Sequence, residues 1–136
     1  MRVFMLLQAL LLSTAASAST PQQQSTIGYA SVAEALSALK AKPGVQVEIT
    51  KPDAWTIISE PGNVQWSFSP STHGAYPAVV RRALKVNPDG DLYIEMTALC
   101  QAEKMACDKL IEEFKQLNER IRQSVRARLQ QGDQPK

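Results

Sequence analysis

Hydrophobic residues along the chain change their spacing twice, from helical to alternating and back to helical. The first helical set recurs at intervals of four and three residues, at Val32, Leu36 and Leu39. Ser31 and Glu34 have the spacing of a capping box at a helix start, and Pro43 with Gly44 ends the pattern. The sequence predicts a first helix of about three turns, which needs another surface to pack against.

From Val45 to Cys100 the apolar positions alternate with polar ones, which predicts β-strands with one dry face. Turn-forming residues and one longer loop divide this region into five segments, at residues 45–50, 54–59, 64–69, 78–86 and 91–100. Consecutive strands joined by short turns pair antiparallel. We therefore expect an antiparallel meander of about five strands.

Residues 87–90, with the sequence Asn-Pro-Asp-Gly, predict the turn between the last two strands. The proline suits the second position of a type I turn, and Gly90 suits the left-handed position that adds a one-residue bulge. The bulge sets the register, with the apolar pairs Val86 opposite Leu92 and Leu84 opposite Ile94. Arg82 is then the one charged residue on the apolar side of its strand, and we expect it near the sheet margin.

Residues 60–63, with the sequence Glu-Pro-Gly-Asn, fit a tight type II turn between the second and third strands. A two-residue hairpin of this kind places Ile57 opposite Trp66 and Trp55 opposite Phe68. Because these large side chains then share one face, we expect them in the core of the sheet.

The last apolar set returns to helical spacing between Cys107 and Leu129 and predicts a long helix from residue 102 to about residue 129. A helix of some 25 residues is about 38 Å long, more than a sheet of this size covers, so its end should project. Four arginines make that end basic: Arg120, Arg122, Arg126 and Arg128. The whole pattern predicts a single α+β domain at residues 29–130, with both helices packed on one face of the meander.

The first 18 residues have the three parts of a cleavable secretion signal: a basic start at Arg2, an apolar run, and a small-residue site at Ala16-Ser17-Ala18. The alternative, a membrane anchor, needs roughly 20 apolar residues, about twice the length of this run. We therefore expect an exported protein, periplasmic or else secreted, with no membrane span in the mature chain. Residues 19–28 predict a disordered lead-in, and residues 131–136 a flexible tail.

The charge of the mature chain is close to balanced. The full sequence has 15 Lys and Arg against 13 Asp and Glu, and loss of Arg2 with the signal leaves 14 against 13. A nearly neutral chain lacks the concentrated positive field of a general nucleic-acid binder. The roughly 118 residues after the signal are enough for one hydrophobic core.

Cys100 and Cys107 are the two cysteines of the chain. On one continuous helix they would lie about 10.5 Å apart, beyond the roughly 7 Å that a disulfide tolerates between Cα atoms. We predict a disulfide in which Cys100 ends the last strand and Cys107 lies near the helix start, since export supplies an oxidising compartment. The alternatives are free thiols, a metal site or a redox pair, and the sequence supports neither a metal centre nor a redox motif.

The loop at residues 69–78 contains His73, Tyr76 and Pro77, which we select as a candidate binding loop. A catalytic reading would use His73 as a general base for a nearby Ser or Thr. However, the sequence has no nucleophile-elbow, phosphate-loop, dinucleotide, zinc-protease or calcium-loop motif. We therefore expect no catalytic set, no metal and no cofactor.

These features together favour a small exported, non-catalytic protein that binds another protein, as an inhibitor, immunity or chaperone-like module. The candidate partner-facing residues are Arg81, Tyr93, Arg122 and Arg126. The alternative is a small hydrolase or ligand-binding enzyme centred on His73. A homodimer through the C-terminal helix is also open, because Leu117, Ile121, Val125 and Leu129 continue its apolar stripe beyond the sheet.

Overall fold

The computed structural model describes residues 27–132. Its elements are α1 (Val32–Lys40), β1 (Gln46–Ile49), β2 (Thr56–Glu60), β3 (Val64–Phe68), β4 (Ala78–Val86), β5 (Leu92–Cys100) and α2 (Lys104–Gln130). The five strands form one antiparallel sheet in the order β1-β2-β3-β4-β5. The predicted α+β class, the meander, the short first helix and the long last helix are confirmed. The predicted signal at residues 1–18 lies outside the described residues, as do most of the lead-in and tail.

α1 begins at the predicted capping box. The Ser31 Oγ accepts a hydrogen bond from the Glu34 backbone N–H at 3.1 Å, and the Glu34 carboxylate accepts one from the Ala30 N–H at 3.0 Å. These bonds satisfy backbone donors that a helix start leaves open. The packed part of the chain begins at an earlier residue than predicted. Ile27 belongs to the predicted lead-in, but it is buried in the core beside α1.

The β4–β5 hairpin has the predicted register. Val86 pairs with Leu92, and Leu84 pairs with Ile94. Asn87 and Asp91 close the turn through a backbone hydrogen bond of 2.9 Å, and Gly90 has a φ of 85°. A left-handed residue at this point is what inserts the extra residue that sets the pairing.

The register predicted for β2 and β3 is wrong by one residue. Trp66 pairs with Ile58 rather than Ile57, and Phe68 pairs with Thr56 rather than Trp55. The turn has three residues, because both Gly62 and Asn63 adopt a positive φ, of 88° and 60°. Since neighbouring strand residues face opposite ways, Trp55 moves to the other face of the sheet from Trp66.

The prediction that both helices pack on one face is also wrong, because the sheet is covered on both sides. Val79 and Val80 are adjacent in β4, are both fully buried, and point to opposite faces. Val79 belongs to the cluster of α1, which is formed by Ile27, Val32, Ala35, Leu39, Ile58, Trp66 and Phe68. Val80 belongs to the cluster of α2, which is formed by Ala75, Ala78, Leu110 and Phe114. We name the two sides of the sheet the α1 face and the α2 face.

α2 runs along its face from one end of the sheet to the other. Its first turns lie beside the loop at residues 69–77, at what we call the loop end. Its later turns reach the turns at residues 61–63 and 87–91, where Ile121 lies near Leu84 and Ile94; this is the hairpin end. Leu110 and Phe114 are buried, whereas the residues from Gln123 to the end of α2 are exposed except for half-buried Val125.

Candidate functional site

The two cysteines are joined as predicted. Cys100 is the last residue of β5 and Cys107 is in the first turn of α2, with their Cα atoms 5.8 Å apart. α2 begins at Lys104, so the helix break falls between the two cysteines, as the geometry of a disulfide requires. Closing a loop of eight residues stabilises the fold by about 2.5 kcal/mol in the chain-entropy model. The bond is compatible with an oxidising compartment.

The candidate binding loop is anchored at both of its ends. The Ser69 hydroxyl accepts a hydrogen bond from the Ala78 N–H at 2.9 Å and lies 3.3 Å from the Ala78 carbonyl. The Gln101 N–H donates to the Pro77 carbonyl at 2.9 Å, which joins the loop to the chain beyond β5. Tyr76 remains half exposed at the loop surface. Because Ser69 is buried and already bonded, it is not available as a nucleophile.

The imidazole of His73 is held within the same loop. Its Nδ1 accepts a hydrogen bond from the Ala75 N–H at 3.1 Å, and its ring meets the edge of the Trp55 ring with centroids 5.0 Å apart. No hydroxyl or carboxylate group within residues 27–132 bonds to this imidazole. The contacts favour a role for His73 in the structure of the loop.

Arg81 and Tyr93 lie on the α1 face, in a group that we call the charged sheet face: Arg81, Lys85, Tyr93 and Glu95. Glu95 bridges the two cations, with Arg81 Nη1 at 3.4 Å and Lys85 Nζ at 3.1 Å. The hydrogen bond from Lys85 is the main reason that the pKa of Glu95 lies below its usual value. The Arg81 guanidinium also stacks over the Trp66 ring at 5.7 Å. Arg81 therefore has intramolecular partners, whereas Tyr93 is 42 % exposed.

Arg122 and Arg126 lie on α2 and so belong to the opposite side of the molecule. Arg122 donates to the Glu119 carboxylate at 2.6 Å, and this bond is the main cause that lowers the pKa of Glu119. The structure thus separates the four candidate partner-facing residues into two pairs on different faces. They do not form one continuous surface.

A further ion pair, which sequence reasoning did not identify, joins the segment after α1 to the sheet. The Glu60 carboxylate accepts hydrogen bonds from Lys42 Nζ at 2.8 Å and from Trp66 Nε1 at 2.6 Å. Burial alone raises the pKa of Glu60, but the bonds from Lys42 and Trp66 outweigh it, so its pKa lies below the usual value. The hydrogen bond between Lys42 and Glu60 also raises the pKa of Lys42.

A cavity of about 490 Å³ opens on the α2 face at the hairpin end. Its walls come from the β2–β3 turn, from β4 and β5, and from α2, and they include Gln65, Arg82, Leu84, Ile94 and Ile121. The sequence pattern had marked Arg82 as a charge on an apolar strand face. It gave no indication of the cavity, because the walls come from segments far apart in the chain.

Among residues 27–132, no group of three or more His, Cys, Asp or Glu could hold a metal ion. Within the same range, no helix combines the length and the apolar character needed to cross a bilayer.

No family model, no curated protein and no solved structure matches the chain. Any functional proposal therefore rests on the chain's own contacts, exposure and charges.

Proposed function

We propose that this protein is a small exported, non-catalytic module that binds another protein through the end of α2. The surface consists of the last three turns of that helix, residues 120–130, which we call the helix end. An inhibitor, an immunity protein or a chaperone-like subunit acts in this way, by covering or holding a partner without transforming it.

The observation that carries the proposal is the exposure of the helix end. Leu129 is 73 % exposed, although leucine is a residue that helices usually bury. Most helical stability in proteins comes from tertiary packing of an apolar face, and the helix end has little such packing within the described chain. A partner with an apolar groove would supply it, in the manner of helix-in-groove recognition.

The charges of the helix end define the kind of partner. Arg122 pairs with Glu119, but Arg120, Arg126 and Arg128 form no ion pair with any described residue. A groove rimmed by carboxylates would complement these arginines, and arginine and large apolar side chains are frequent anchors at interfaces. Two copies of the helix end would instead bring like charges together, so an acidic protein is favoured over a homodimer.

Export is part of the proposal. The sequence pattern of residues 1–18 supports it, and so does the disulfide, which is typical of oxidising compartments. The periplasm is the compartment that we propose, because it is oxidising and a disulfide persists there.

A photo-crosslinking amino acid placed at Leu129 tests the proposal in the native compartment. Met105, which is 83 % exposed at the other end of α2, is the matched control position. We expect a discrete adduct with an acidic protein from position 129 and none from position 105. The double substitution Arg126→Glu with Arg128→Glu should abolish the adduct, whereas Lys109→Glu should leave it intact.

Two results would contradict the proposal. Equal labelling from positions 105 and 129 would show that the helix end is not a preferred contact. An adduct of twice the chain mass, together with a dimer by light scattering, would replace the acidic partner with a second copy of this chain.

The alternative enzyme centred on His73 draws no support from the loop geometry. The contacts of His73 with Ala75 and Trp55 account for its position, and no described hydroxyl lies bonded to it. A folded His73→Ala variant that lost a hydrolytic activity present in the parent protein would restore that alternative.

A further inference from the structure

The cavity at the hairpin end has mostly apolar walls. Leu84 and Ile94 supply its floor from β4 and β5, and Ile121 supplies one side from α2. The β2–β3 turn closes another side with Pro61. At about 490 Å³ the cavity falls within the range of roughly 300–1,000 Å³ that is typical of small-molecule sites.

Arg82 is the positive charge in this cavity, and its contacts do not neutralise it. Its guanidinium donates to the Gln65 side-chain oxygen and lies 5.3 Å from the centre of the Phe114 ring. Its Nε is buried and has no hydrogen-bond acceptor within the described chain. No carboxylate among the described residues forms an ion pair with it. Burial lowers the pKa of Arg82, but an arginine remains protonated at neutral pH.

The nearby carboxylates are already occupied. Glu60 contributes to the wall of the cavity, but its two oxygens bind Lys42 and Trp66. Glu119, two residues before Ile121 on α2, binds Arg122 and Gln123. A half-buried positive charge without a counter-charge is poorly solvated, so an anion that enters the cavity would gain more from Arg82 than from a fully solvated arginine.

We propose that this cavity is a binding site for a small amphipathic carboxylate, such as a medium-chain fatty acid. The carboxylate bonds to the guanidinium of Arg82, and the hydrocarbon chain lies against Leu84, Ile94 and Ile121. The charged head of such a ligand matches the one arginine of the cavity, and its apolar body matches the aliphatic side chains. The site shares only Ile121 with the helix end, and it does not depend on the proposed protein partner.

Calorimetric titration with decanoate at pH 7, with decanol as the uncharged control, tests the site. We expect one decanoate per chain and at least tenfold weaker binding of decanol. The side-chain Nε–H resonance of Arg82 and the backbone amides of Leu84, Ile94 and Ile121 should shift in ¹⁵N NMR spectra during the titration. Equal affinity for decanoate and decanol, no binding of either, or shifts confined to other regions would overturn the proposal.

Substitutions separate the charge from the cavity. Arg82→Gln should weaken decanoate binding at least tenfold, whereas Lys109→Gln, which removes one positive charge outside the cavity, should leave it unchanged. Ile121→Trp fills the cavity from the helix side and leaves Arg82 in place. It should block decanoate binding in a folded protein. A folded Ile121→Trp variant that binds decanoate as well as the parent protein would place the ligand elsewhere and refute the site.

Discussion

The two ends of α2 differ in how completely their side chains are satisfied. At the loop end, Leu110 is buried, the disulfide ties the helix to β5, and the loop bonds to the strands at both of its ends. Four buried polar atoms have no hydrogen-bond partner in the described chain. Three of them, Arg82 Nε, Asn118 Oδ1 and Arg122 Nε, lie toward the hairpin end, and the fourth, Thr97 Oγ1, lies on the α1 face. Native proteins satisfy nearly all such atoms, and exceptions often mark functional places. The molecule thus separates the end that provides stability from the end that we propose for binding.

Truncation of one apolar side chain at each end gives the largest expected contrast. Leu110→Ala should lower the free energy of unfolding by about 3 kcal/mol, because it leaves a cavity in a fully buried cluster. Ile121→Ala removes a half-exposed side chain beside an existing cavity and should cost less than about 1 kcal/mol. Urea unfolding of the two variants measures both values. Similar losses at the two positions would remove the distinction between the ends.

Removal of the disulfide should have the next largest effect. The double substitution Cys100→Ala with Cys107→Ala is expected to lower the free energy of unfolding by about 2.5 kcal/mol, since the unfolded chain regains the entropy of an eight-residue loop. Urea denaturation of parent and variant, each checked for free thiols, gives the difference. If the variant were as stable as the parent protein, the loop end would owe its stability to packing alone.

Arg82→Met should act in the opposite direction. Methionine is apolar and similar in length, so the change removes a half-buried charge that has no counter-charge and should raise the free energy of unfolding by about 1 kcal/mol. Thermal and urea unfolding at neutral pH measure the change. A clear loss of stability would show that the stacking on Phe114 and the bond to Gln65 outweigh the cost of burying the charge.

The smallest expected effect concerns the pH dependence of stability at Glu60. Because the pKa of Glu60 in the folded protein lies below its usual value of 4.5, the ionised carboxylate stabilises the fold at neutral pH. This contribution is lost as the pH falls below about 4.5 and then through the lower pKa that Glu60 has in the folded protein.

Urea unfolding of Glu60→Gln at pH 7, 5 and 3 checks this expectation. The parent protein should be more stable than the variant at pH 7, and the difference should shrink at pH 3. Glu48→Gln is the matched control, since Glu48 is exposed on β1 and forms no ion pair with a described residue. A difference between Glu60→Gln and the parent protein that is constant with pH would assign the effect to hydrogen bonding rather than charge.

Local sequence signals predicted the elements of the fold well. The capping box of α1 and the β4–β5 turn each involve residues within a few positions of one another, so their geometry can be read from the sequence. The β2–β3 register could not be read in this way. Residues 60–63 fit either a two-residue or a three-residue turn, and the positive φ of Asn63 decides between them.

The side of the sheet on which each helix packs was harder to predict. Val79 and Val80 are neighbours in one strand, and so are Ile57 and Ile58. Neighbouring residues of a strand face opposite ways, so each pair puts apolar side chains on both faces, which is a sign of a sheet covered on both sides. The candidate site shows a related difficulty. The pattern identified Arg82 as unusual, but its neighbours Phe114 and Ile121 are more than 30 positions away and reach it only through tertiary packing.

The presence of one cysteine pair also simplifies the formation of the disulfide in this protein. A chain with two cysteines has only one intramolecular pairing, so it cannot reach a shuffled isomer by itself. A thiol oxidant is then sufficient, and a disulfide isomerase has no substrate in the monomer. Mixed disulfides between separate molecules are the remaining error, and the separation of only seven positions keeps the correct partner at a high local concentration.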